Sequence, residues 1–146
     1  PKQLKKRYDK IVKKYSISNY IRFYGSMNNQ AINDLYKEAH IGICSLGCHR
    51  KKISRSQDIK SREYLAHLLP IVGSSVDVIN DYEVPFLKKA DENDSPINID
   101  EIINMFDICY DKDGNFEYSV EVIQFVKNMF SIEECMKGVI ENMGLQ

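Results

Sequence analysis

Two hydrophobic periods run along the chain. Leu4, Tyr8, Ile11, Val12 and Tyr15 recur at helical spacing, with lysines filling the other positions. That pattern predicts a helix over residues 2–15 with those five side chains on its buried face. Tyr20–Tyr24 is rich in β-forming residues and stops at Gly25, so it reads as a strand. Ser26-Met27-Asn28-Asn29 brings capping side chains, and a helix follows over 30–40 with Ile32, Leu35, Tyr36 and Ala39 facing inward. Ile41–Leu46 is a short apolar run, the mark of a buried strand. Residues 47–57 are polar and basic and read as a loop. Asp58 caps a helix through Leu68, and Pro70–Ser74 is another buried strand.

Helix and strand thus alternate three times, with crossovers of about ten residues, which predicts a parallel sheet covered by helices. The pattern then weakens. Residues 77–82 predict a helical turn, 85–89 an edge strand and 91–97 a turn-rich loop. Helices are predicted over 99–110, 116–129 and 132–143. Asp111–Gly114 separates the first two, and Ser131 caps the last. The expected class is α/β: a Rossmann-like parallel sheet with flanking helices and a helical C-terminus.

Length and composition add limits. The chain has 146 residues, 43% of them hydrophobic and 28% charged, which fits one domain with a core. No apolar run approaches the roughly 20 residues of a membrane span, and no signal-peptide pattern is present. A cytoplasmic protein is expected. The chain begins without Met and is read as a piece of something longer. The four cysteines have no disulfide-framework spacing. Cys44, Cys48 and His49 lack zinc spacing and a second ligand pair, so no metal is expected.

Charge changes the picture more. Net charge is −1, yet residues 1–62 hold 15 Lys/Arg against 4 Asp/Glu, and residues 63–146 hold 5 against 17. The first half is therefore expected to meet an anion. Nucleic acid is set aside, because Tyr8, Tyr15 and Tyr36 fall on predicted core stripes. The basic helix 2–14 is suited to peripheral contact with an anionic membrane, at its cytoplasmic face.

Ligands of open parallel sheets bind at the C-terminal ends of the strands. Here those ends are Tyr24-Gly25-Ser26, Ser45-Leu46-Gly47 and Gly73-Ser74-Ser75. Gly admits close backbone approach, and Ser supplies a small donor. Lys60 and Glu63 share a face of the helix after the basic loop, where either a ligand or a surface salt bridge explains them. Arg62 points elsewhere. His49, Arg50, Lys51, Lys52 and Arg55 either face a diphosphate or lie solvated.

The run Ile59-Lys60-Ser61-Arg62-Glu63-Tyr64-Leu65-Ala66, followed by Leu69-Pro70-Ile71-Val72-Gly73-Ser74, resembles the C-terminal nucleotide-sugar-binding domain of retaining, GT-B-fold glycosyltransferases of surface-polysaccharide synthesis. Ile21–Gly25 resembles that family's strand ending in Gly, and Leu35–Ile43 its Leu-Tyr, two residues, Ala-Asp-Ile stretch. The likeness covers residues 1–82 in order; the helical C-terminus fits loosely. It implies transfer of a sugar from a nucleotide-diphosphate sugar to a glycan or lipid-linked acceptor, with no cofactor and no obligatory metal. Glu63 would bind the donor ribose, with Gly25 near the base and Ser45 near the diphosphate or sugar. Lys60 would meet phosphate or order Glu63, and Ser61 belongs to the same donor site. No catalytic residue follows from it.

The departures from the family are specific. Many relatives carry a second Glu eight residues before Glu63, where this chain has Arg55. Leu68 stands where the family has a helix-ending Gly, at a cost of about 1 kcal/mol if its backbone is left-handed. The resemblance also makes residues 1–146 a single donor-binding fragment, without the acceptor domain and the domain's first strand. A non-catalytic α/β nucleotide-binding or interaction module is the alternative.

Overall fold

The sheet is centred on the uncharged β-branched pair Ile71-Val72, while its third strand carries Lys88 and Lys89. Strands β1 (Gly42–Ile43), β2 (Ile71–Ser74) and β3 (Leu87–Ala90) lie parallel in the order β1-β2-β3. Gly42 pairs with Ile71 and Ile43 with Val72, while Ile71–Ser74 pairs with Leu87–Ala90. All four residues of β2 are buried, as befits the centre of a covered parallel sheet. Among the described residues six helices accompany it: α1 (Lys2–Lys14), α2 (Asn29–Glu38), α3 (Ile59–Ala66), α4 (Ile99–Cys109), α5 (Ser119–Phe130) and α6 (Ile132–Asn142). The protein is α/β and Rossmann-like. The computed structural model describes residues 2–74 and 76–143, with residues 2–4, 78, 80, 138 and 139 by backbone alone. Ser75 and the Leu4 side chain lie outside what is described.

The fold divides into two compact units, residues 1–33 and 34–146, with the division inside α2. Two sequence expectations for the first unit are corrected. Tyr8 and Ile11 of α1, and Tyr15 at its end, are exposed at 46%, 42% and 62% rather than buried. Amphipathic spacing shows that a helix has an apolar face, not that something covers it. Tyr20–Tyr24 is not a strand. Ser18–Tyr20 forms a 3-10 turn, and the backbone then runs extended from Ile21 (φ −125°, ψ 128°). Among the described residues no ladder pairs with it, and β propensity becomes a strand only where a neighbouring strand takes up its amides. The expected cap is Asn28, whose Oδ1 accepts from the Ala31 amide at 2.9 Å.

In the second unit α3 packs on β1, β2 and α5. Its seat on β1 depends on Gly42, where a Cβ would lie 2.3 Å from the Tyr64 ring. Leu65, Ile71, Val72, Ile79, Phe86, Met105, Cys109 and Val122 form the core. β1 is shorter than the apolar run 41–46, although the Cys44 amide still donates to the Val72 carbonyl at 2.9 Å. β2 reaches β3 through a 3-10 turn at Val78–Asp81 instead of a helix. Leu68 is left-handed (φ +60°), a helix-ending conformation that Gly usually takes.

Candidate functional site

The cleft of interest opens where β1 ends and α3 begins. Asp58 places it: its Oδ1 accepts from the Lys60 amide at 3.1 Å, capping α3, and its Oδ2 accepts from the Ser45 amide at 3.2 Å. One carboxylate therefore joins the end of the strand run to the start of the helix. Burial pulls the Asp58 carboxyl upward, but the hydrogen bonds from Ser45 and Lys60 and the Lys60 charge outweigh it, so its pKa lies below the ordinary 3.8. Ser45, Gly47, Cys48, Lys51, Ser56 and Lys60 are among the residues lining the cleft, about 500 Å³ in volume.

Asp77 supports this arrangement from beneath. It is buried and accepts from the Asp58 amide at 3.0 Å, the Ser61 hydroxyl at 3.0 Å and the Ile79 amide at 3.3 Å. Ser61 Oγ also lies 2.6 Å from the Asp58 carbonyl, so this hydroxyl faces the interior of the fold. Arg62 donates to the Asp58 carbonyl at 2.6 Å and lies over the Phe130 ring at 4.6 Å, away from the Lys60 face. The sequence marked Asp77 only as the start of a turn. An Asp set between two valines was the available signal that a buried partner awaited it.

Lys60 and Glu63 are both exposed and make no ion pair with each other among the described residues. The salt-bridge explanation of their spacing therefore falls away. Glu63 lies one turn beyond Lys60, with the Tyr36 hydroxyl 3.5 Å from its Oε2. Tyr36 is held by His67 at 4.5 Å and Tyr64 at 5.6 Å between ring centroids. Burial, then the Glu63 charge and hydrogen bond, raise the Tyr36 pKa and keep the phenol protonated.

The basic loop mostly turns away from the cleft. His49 Nε2 lies 2.9 Å from Asp94, and its amide donates to Glu92 at 3.2 Å. Arg50 donates to Asp94 at 2.6 Å, and Arg55 to Asp81 at 2.8 Å. Hydrogen bonds from His49 and then Arg50 lower the Asp94 pKa. Lys51 and Lys52 have no such partner among the described residues. Cys44 lies beneath the site, where burial and then Asp58 and Asp77 push its thiol up to about 12, so it is no nucleophile.

Of the expected strand ends, the first carries Gly25, exposed and left-handed (φ +74°), in the other unit. The second supplies Ser45 and Gly47 to the cleft. At the third, Ser74 is buried and hydrogen-bonded to Glu92. No protein-family model, curated protein or solved structure matches this chain. The chemistry of the site must therefore be read from its own residues. It offers two ammonium groups and a small polar rim for an oxyanion, with a carboxylate one turn away for hydroxyl donors.

Proposed function

We propose that this chain is the donor-binding part of a glycosyltransferase that moves a sugar from a nucleotide-diphosphate sugar to a glycan or lipid-linked acceptor. The observation that supports this best is that Lys60 and Glu63 on α3 make no ion pair among the described residues and stand exposed beside a cleft at the end of a parallel strand. A nucleoside diphosphate presents phosphates and a ribose diol at that kind of spacing. Lys51 and Lys60 would meet the phosphates as side chains, because Asp58 already occupies the Lys60 amide. Glu63 would accept from the ribose hydroxyls, and Tyr36 would steady its carboxylate. In transfer, the leaving diphosphate gains charge, which the same two ammonium groups stabilise.

A second reading, a non-catalytic α/β interaction module, draws on the pairing of Arg55 with Asp81. Arg55 stands where many relatives place a Glu near the donor sugar, and here it is tied to another loop. Thermal-shift titration with UDP, GDP, CMP and their sugars separates the two readings. The donor reading expects one nucleotide series to raise the Tm. Glu63→Ala should then weaken that binding by about 2 kcal/mol, roughly 30-fold. If every nucleotide leaves the Tm unmoved, the interaction module is the correct reading.

A further inference from the structure

The first unit carries a surface that donor binding does not use. Residues 2–14 contain six lysines and Arg7 against the single acid Asp9. Lys5, Lys6, Arg7, Lys10, Lys13 and Lys14 make no ion pair among the described residues. Tyr8, Ile11 and Tyr15 stand exposed at helical spacing on this helix. Tyr20, Phe23 and Tyr24 extend the apolar surface, with Tyr8 and Phe23 ring centroids 6.2 Å apart. Exposed rings and an aliphatic side chain thus sit among cations that meet no carboxylate among the described residues, with Lys14 over the exposed Tyr15 ring at 5.2 Å.

We propose that α1 and the aromatic segment after it dock on an anionic phospholipid surface. The charge demands an anionic partner, and the exposed side chains demand one with an apolar layer directly beneath its charge. A bilayer interface offers both, with headgroup phosphates for the lysines and the acyl boundary for Tyr8, Ile11 and Tyr15. A second copy of the chain fits poorly, because an isologous contact would bring two strongly basic helices together. Base stacking uses rings but has no use for Ile11 on the same stripe. Among the described residues no helix is long and apolar enough to cross a membrane, so the contact lies on the surface.

Vesicle co-sedimentation of the full chain tests this. Vesicles of phosphatidylglycerol mixed with phosphatidylcholine should retain the protein at least ~10-fold more strongly than phosphatidylcholine alone. Added salt should weaken that binding. The triple change Tyr8→Ser, Ile11→Ser, Tyr15→Ser should weaken it at constant charge. Lys6→Glu, Lys10→Glu, Lys13→Glu should abolish it with the apolar residues intact. Circular dichroism checks folding, and the single change Tyr15→Ser at the helix end is a milder probe expected to give a smaller loss. Absence of vesicle binding at low salt overturns the proposal. So does equal binding to both vesicle types, or binding that both triple variants retain. Retention on polyuridylate in place of vesicles also overturns it, as does a dimer that the serine variant dissolves.

Discussion

Two basic stretches of this protein meet opposite fates. In residues 49–62 half of the Lys and Arg side chains are engaged by the acidic half of the chain: Arg50 by Asp94, Arg55 by Asp81, and Arg62 by Asp77 and the Phe130 ring, with His49 also against Asp94. In α1 none of the cations with described side chains meets a carboxylate among the described residues, and Lys14 lies only over the exposed Tyr15 ring at 5.2 Å. The charge asymmetry between the two halves therefore has two sources. One part is cancelled internally over long sequence separations. The rest, on α1 and at Lys51, Lys52 and Lys60, remains available to outside anions. A charge count alone cannot tell these apart, because pairing depends on which loops the topology brings together.

If the second stretch is built into the fold and α1 is not, stability effects should differ sharply between them. Gly42→Ala should cost most, about 3 kcal/mol by urea denaturation, because its Cβ would lie 2.3 Å from the Tyr64 ring and force α3 or that ring to shift. An unchanged midpoint would mean that α3 is not seated as described. Asp58→Ala should cost about 1–2 kcal/mol through loss of the α3 cap.

Asp58 also carries a pH signature. Its folded pKa is depressed, so its stabilisation is fully present above the ordinary 3.8 and is lost as pH falls through the lower folded value. Asp58→Asn keeps a capping oxygen and should remove this acid-dependent part, as urea midpoints between neutral pH and pH 3 would show. Arg55→Ala should cost less than ~1 kcal/mol, since its pair with Asp81 is solvent-exposed. Lys10→Gln with Lys13→Gln should change stability least, by under ~0.5 kcal/mol. A larger loss there would show that α1 is held by charge after all.

Much of the order of elements from α2 onward was legible because several apolar runs had local boundaries: Asn28, Asp58 and Ser131 cap the helices that follow them. The left-handed Leu68 was foreshadowed only through the resemblance, which sets a helix-ending Gly at its position. Tyr20–Tyr24 misled because a strand is a property of two segments, and one segment was read alone. The apolar stripe of α1 misled for the same reason. At the site, the Lys60–Glu63 spacing and the Asp58 cap are local and could be read. The Asp77 network and the pairing of the loop with Asp81, Glu92 and Asp94 join residues far apart in sequence; the valines beside Asp77 announce that it is buried but not its partners, and no local pattern announces the rest.

The central claim is that Glu63 reads a ribose diol beside phosphates held by Lys60 and Lys51. Its most direct test is an NMR titration of the full chain with a responsive nucleoside diphosphate and its 2′,3′-dideoxy counterpart. The account predicts shifts at the Glu63 and Lys60 amides with the ribonucleotide, and at least ~10-fold weaker binding of the dideoxy compound. Glu63→Ala should erase that difference. Equal binding of both nucleotides, or shifts that leave α3 untouched, would contradict it.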